Sequence, residues 1–136
     1  MKPNIALVIG DPAGIGPELV TKLLADGTAA QQANIFVICN RASLAEAEQA
    51  TGVALNLVTV ERGEIGTRDF TAPVLLAWEG IDTPGFARGR ADARNGKFMI
   101  DMLTLGAQLT QARKTDALCF APLNKGALRS RFAAIV

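Results

Sequence analysis

Two short segments of this chain hold residue types at spacings that could do chemistry. The first is Gly10-Asp11-Pro12-Ala13-Gly14-Ile15-Gly16-Pro17-Glu18. Its glycines permit positive φ and let a ligand approach the backbone closely. The free N–H groups of a helix starting at Pro17-Glu18 could receive an anion. Asp11, at the tip of an apolar run, could orient a substrate or a metal-bound water, and it could equally cap the turn. The segment is not a Walker A loop, since no Gly-Lys-Ser/Thr follows. It is not GxGxxG either, because Gly14 and Gly16 would need a glycine where Leu19 stands. A glycine turn that only lets helix pack on strand is an open alternative.

The second segment is Phe120-Ala121-Pro122-Leu123-Asn124-Lys125-Gly126. Lys125 could neutralise a carboxylate, a phosphate or a developing alkoxide. Asn124 could orient that group or cap a helix. A lysine after a strand is also simply solvent-exposed in many folds. A third group, Arg88, Arg90, Arg94 and Lys97, could steer an anionic substrate. A mobile, solvated loop is the competing reading.

Composition narrows the classes. The chain has 136 residues, 49% hydrophobic and 20% charged, which suits one modest globular domain. A net charge of +1 gives no case for nucleic-acid binding. There is no histidine, so triads and most zinc sites are out of reach for these residues alone. Cys39 and Cys119 lie far apart at the ends of apolar runs and read as small buried side chains, which fits a reducing cytoplasm. No signal peptide is visible, and no apolar stretch reaches the roughly 18 residues of a membrane span.

These segments need elements to hold them. Ile5–Ile9 is a continuous apolar run, read as a strand buried on both faces. A helix is expected from Pro17 to about Leu24 or Asp26, stopped by Gly27. Ile35–Cys39 reads as a second strand. A helix capped by Ser43, with Glu46 as its capping-box partner, should run through Gln49 to Gly52. Leu55–Val60 and Val74–Trp78 are the next strands. Residues 80–97 look irregular. A long helix is expected from about Ala91 to Ala112, with Phe98, Met102, Leu105 and Leu109 as its inner stripe, widened by Met99 and Leu103. Ala117–Ala121 is a strand, Pro122–Gly126 a turn, and Ala127–Phe132 a short helix. This alternation implies an α/β fold with an open, mostly parallel sheet flanked by helices. The apolar end Phe132-Ala133-Ala134-Ile135 reads as the start of something that continues.

Taken together, G-D-P-A-G-I-G-P-E and the downstream A-P-L-N-K resemble the 4-hydroxythreonine-4-phosphate dehydrogenase family and its relatives acting on four-carbon sugar-acid phosphates. G-R-A-D-A-R-N-G-K-F-M-I-D-M-L, Gly89 to Leu103, resembles the segment that opens the family's long helix. The resemblance spans essentially the whole chain, and family enzymes are more than twice as long. It implies part of an isocitrate/isopropylmalate dehydrogenase-like fold, the N-terminal portion of a two-domain, cytoplasmic homodimer. It also implies oxidation of a phosphorylated hydroxy acid such as 4-phosphohydroxy-threonine by NAD or NADP, in pyridoxine biosynthesis. A divalent metal would polarise the oxygen, and decarboxylation can follow. The family's metal-ligating histidines lie downstream of A-P-L-N-K and are absent here. What carries over is a cleft wall of substrate-proximal residues: Asp11 for orientation, Lys125 for substrate charge, with Gly14, Gly16 and Asn124. Asn124 departs from the G-P-V-H-K of the vitamin B6 enzymes and fits the sugar-acid branch better.

Two other readings stay open. One is a non-catalytic relative that binds an anionic metabolite or a partner subunit through the glycine turn. The other is a phosphoryl-transfer or nucleotide-binding domain that shares the turn by chance. The dehydrogenase reading further expects open sheet edges and exposed apolar surface.

Overall fold

In the computed structural model of the chain, which describes residues 1–78, 89 and 93–133 (backbone only for 130–133), the opening apolar run forms strand β1, Asn4–Val8. It is followed by helices α1, Gly16–Ala25, and α2, Thr28–Gln32, and then by β2, Asn34–Ile38. Next come α3, Arg41–Thr51, β3, Thr59–Val60, a 3₁₀ turn at Arg62–Glu64, and β4, Val74–Leu76. The long helix α4, Ala93–Gln111, leads to β5, Ala117–Phe120, and α5, Lys125–Ala133.

All described strand pairs are parallel, in the order β3-β4-β2-β1-β5. The expected open parallel α/β sheet is therefore present. β1 and β2 hold its centre, and Ala6, Val8, Phe36, Val37 and Ile38 are fully buried, as strands covered on both faces require. α1 packs against α3, and α4 against α5, β1 and β5. Crossovers between parallel strands are right-handed. α1 and α3 carry the chain one way along the sheet and α4 carries it back, so the two helix pairs cover opposite faces. The α4 stripe Phe98, Met99, Met102, Leu105 and Leu109 is buried as expected.

Several local expectations give way. α3 is capped by Asn40, whose Oδ1 accepts from Ser43 N at 2.7 Å, so Ser43 lies inside the helix and Glu46 makes no capping box. β3 has two residues instead of six, because Asn56 is left-handed at φ 52° and breaks the extended run. α2 was not foreseen; Gly27, at φ 76°, ends α1 and leads straight into it. Lys125 and Gly126 belong to α5 and not to a turn. Cys39 is buried, but Cys119 is exposed, because β5 lies at the sheet edge.

The other end of the sheet is tied by a polar knot. Asn34 is buried and donates to Asn4 Oδ1 at 2.9 Å and to Asp69 Oδ1 at 3.0 Å, while its own Oδ1 accepts from Phe70 N at 2.8 Å. Lys2 Nζ donates to the carbonyls of Ala30 and Phe70. These bonds anchor the segment before β4 to the start of β1 and β2, so a buried amide is satisfied on both of its atoms.

Candidate functional site

The C-terminal ends of β1 and β5 are neighbours in the sheet, Val8 pairing with Phe120. That register brings the two motif segments into contact. Ala121 N donates to Val8 O at 3.0 Å, and Asp11 N donates to Pro122 O at 3.0 Å. Gly10 has φ 79°, and a Cβ there would stand 2.4 Å from Pro122 O and 2.6 Å from Ala121 O. Glycine is required at that position both by conformation and by space. Gly16 opens α1 under similar pressure: a Cβ would meet Ile9 O at 2.1 Å and Ala121 Cβ at 3.3 Å.

Asp11 is buried inside this junction. Its Oδ1 accepts from Ala13 N at 3.0 Å, and its carbonyl accepts from Gly14 N at 3.1 Å, which closes the turn. Gly14 faces that carboxylate at ordinary van der Waals range, 3.4 Å from where its own Cβ would be. Gly89 N donates to Ala13 O at 2.7 Å, so Gly89 also touches the turn.

On the β5 side, Asn124 Oδ1 accepts from Ala127 N at 3.1 Å, which makes Asn124 the N-cap of α5. Lys125 is the first residue of that helix and is exposed. No ion pair joins it to Asp11. The five candidates Asp11, Gly14, Gly16, Asn124 and Lys125 therefore share one edge of the sheet. Three organise backbone, one caps a helix, and one presents an exposed ammonium. In an open parallel sheet, ligands bind at the carboxyl ends of the strands. An ammonium beside a helix N-terminus can hold an anion there.

Of the basic cluster, Arg88 and Arg90 lie outside the described residues. Arg94 and Lys97 sit in the first turns of α4 and not in a mobile loop, and Lys97 pairs with Asp101 at 2.5 Å. The same sheet edge has a further concavity of about 280 Å³, lined in part by Cys39, Asn40, Arg41, Thr59 and Trp78. Arg41 reaches across it to Leu57 O at 3.1 Å and Thr59 Oγ1 at 2.6 Å. The sequence reading passed over this hollow; its signal was Asn40-Arg41 directly after the second apolar run. Burial pushes the Cys39 thiol up to about 12, against a smaller opposite pull from Arg41, so it stays protonated and inert.

The described residues hold no cluster that could bind a metal by themselves. Among the described residues no three Cys, Asp or Glu side chains converge, and the sequence has no histidine. The space beside Gly10 and Gly16 is filled by Pro122, Ala121 and Ile9, so those glycines serve strand–helix packing.

Comparison with known proteins agrees with the motifs. The family profile of pyridoxal phosphate biosynthetic protein PdxA matches residues 31–135. A Pseudomonas aeruginosa protein provisionally named 4-hydroxythreonine-4-phosphate dehydrogenase 2 is 37% identical over 128 residues, covering 93% of this chain and 37% of the relative. A Clostridium botulinum protein provisionally named D-threonate 4-phosphate dehydrogenase is 27% identical, over 94% of this chain and 38% of the relative. Among solved structures, a 4-hydroxythreonine-4-phosphate dehydrogenase from Burkholderia phymatum superposes with a TM-score of 0.81 at 28% identity, over 96% of this chain and 39% of the other. The chain thus spans under two fifths of the length of these relatives.

Proposed function

Since the chain belongs to the PdxA family of pyridoxal phosphate biosynthetic proteins, we propose that it forms one wall of the active-site cleft of a dehydrogenase acting on a phosphorylated four-carbon hydroxy acid. The names of its relatives support the substrate class, and two branches are represented: 4-hydroxythreonine 4-phosphate and D-threonate 4-phosphate. Asn124 in place of the histidine of the vitamin B6 enzymes supports the second branch. In this reading the working enzyme is a cytoplasmic homodimer with two α/β domains, and these residues are its N-terminal portion. NAD or NADP and a divalent metal are held by polypeptide outside these residues.

The observation that carries the proposal is the contact between the two motif turns, closed by the Asp11 N–Pro122 O bond. It sets an exposed Lys125 ammonium and the start of α5 beside the glycine turn at the carboxyl ends of β1 and β5, where open parallel sheets bind ligands. Lys125 then binds an anionic group of the substrate. Asp11 acts as a positioning residue, since one of its carboxylate oxygens accepts from the Ala13 N–H and its burial keeps the turn closed. Asn124 fixes the first turn of α5 and so the base of the Lys125 side chain.

The test is binding of 4-phosphohydroxy-threonine and of D-threonate 4-phosphate to the 136-residue chain, read from backbone amide shifts. Shifts should centre on Gly14, Gly16 and Lys125, and Lys125→Ala should weaken binding about tenfold, as loss of one charge-assisted hydrogen bond does. Unchanged affinity in Lys125→Ala removes that residue from the site. The chain alone should not reduce NAD with either substrate. Turnover by the purified chain would mean the metal site lies within these residues after all.

A further inference from the structure

Packing explains two of the three glycines in the first turn and leaves the third unexplained. Gly10 is held by its positive φ and by the carbonyls of Ala121 and Pro122, and Gly16 by Ile9 O. Gly14 has no positive φ. The three nearest neighbours of a Cβ there would all be atoms of Asp11, at ordinary contact range, with Oδ2 the closest at 3.4 Å. Neither conformation nor space demands glycine at this position. What its missing methyl leaves open is the approach to Asp11 Oδ2. Asp11 is only 6% exposed, and its other oxygen, Oδ1, accepts from Ala13 N at 3.0 Å. Oδ2 receives no donor from the described residues, yet it is not sealed from solvent.

A carboxylate nine-tenths buried with one oxygen unpaired has lost hydration that its own chain does not replace. Among the described residues no ion pair neutralises it either. It stands at the carboxyl ends of β1 and β5, on the same edge as the exposed Lys125 ammonium. A ligand that is only anionic is drawn by Lys125 and repelled by Asp11. A ligand that joins an anionic group to an O–H or N–H donor satisfies both. We propose that Asp11 Oδ2, kept open by Gly14, accepts a hydrogen bond from a hydroxyl or ammonium on the carbon chain of the substrate, and so selects hydroxylated or aminated anions over plain ones. An analogue without the donor is rejected because it leaves the carboxylate buried and unpaired. This rests on the cleft reading above and deepens it: Lys125 takes the anionic group and Asp11 the donor.

The test uses D-threonate 4-phosphate, 4-phosphohydroxy-threonine and a donor-free analogue, butyrate with a phosphate on carbon four. Each is titrated at about pH 8, where the phosphate has lost its second proton. The 136-residue chain and its Asp11→Asn, Gly14→Ala and Lys125→Ala variants are compared by backbone amide shifts. Asp11→Asn can keep an oxygen on Ala13 N while turning an N–H toward the donor of the ligand. Gly14→Ala sets a methyl beside Oδ2 without a clash. Both variants should melt close to the parent chain and bind the two substrates about tenfold more weakly, as loss of one charge-assisted hydrogen bond does. The donor-free analogue should bind Asp11→Asn at least as well as the parent, because one negative charge is gone. An equal loss for both substrates assigns the donor to a hydroxyl they share, and a loss confined to one assigns it to the group on carbon two; either result supports the proposal. Unchanged affinity in both variants overturns it, as does an equally large loss of the donor-free analogue in Asp11→Asn. So does the absence of any shift at Asp11 and Gly14 with either substrate. Should Asp11→Asn fail to fold, unchanged affinity in Gly14→Ala alone overturns it. Loss of binding in Lys125→Ala but in neither other variant leaves the role of Lys125 standing and removes this one, and the reverse pattern removes Lys125 alone.

Discussion

Replacing Gly10 by alanine should separate the conformational from the steric role of a single hydrogen. Gly10 and Gly52 both adopt positive φ, 79° and 71°. An alanine at Gly52 meets nothing within 4 Å, so Gly52→Ala measures backbone strain alone, about 1 kcal/mol. Alanine at Gly10 adds overlap with Pro122 O at 2.4 Å and Ala121 O at 2.6 Å. Both are backbone atoms of the neighbouring turn and cannot swing aside. The turns must part, at an overpacking cost of about 2 kcal/mol. The Asp11 N–Pro122 O bond at 3.0 Å goes with them, about 1 kcal/mol. Gly10→Ala should therefore cost about 4 kcal/mol against about 1 for Gly52→Ala. With an m-value of about 2 kcal/mol per molar urea, the midpoints should differ by about 1.5 M. Urea denaturation followed by far-UV circular dichroism gives the difference directly. Gly63→Ala, which has open space and no positive φ, is the neutral reference. If Gly10→Ala melts within a few tenths of a molar of Gly52→Ala, the two turns do not press on each other as described, and the cleft wall has no rigid seam.

Phe98 is fully buried and lies 6.2 Å, centroid to centroid, from Trp78. Phe98→Ala should cost about 3–5 kcal/mol and shift the emission of Trp78, the single tryptophan; unchanged emission would deny the contact. Asn124→Ala removes the cap on Ala127 N and should lower stability by about 1 kcal/mol, with Asn124→Asp keeping most of it. Faster amide exchange confined to the start of α5 is the expected signature, and uniform exchange would contradict the capping role. The Asn34 side-chain amide, with help from the Lys2 backbone N–H, holds the Asp69 carboxyl below its ordinary range. A depressed folded pKa favours the native state above the unfolded value, about 3.9, and that contribution is lost as pH falls through the folded pKa. Acid unfolding of Asp69→Asn should be less steep below that value than for the parent chain, and identical pH slopes would show that Asp69 gains nothing on folding.

Local pattern made much of this protein legible. Ile5–Ile9 and Ile35–Cys39 are unbroken apolar runs, and a strand covered on both faces has few other ways to be written. The α4 stripe from Phe98 to Leu109 has helical period, and all of its inner members are buried. The glycine turn and the Pro122–Asn124 connection stood out because glycine, proline and a cap residue punctuate strand ends chemically.

Tertiary structure decided the rest, because the deciding contacts join residues distant in sequence. Nothing local states that β5 pairs with β1, and only that pairing sets Pro122 against Gly10 and makes one edge of two motifs. The strand order also puts β5 at the border, which exposes Cys119 although its run is as apolar as that of Cys39. Asn40 takes the α3 cap from Ser43 because the chain turns immediately after β2. Sequence determined which residues could line a cleft, through side-chain chemistry and spacing. The fold decided which of them meet, because burial and strand order are properties of the whole sheet and not of any segment.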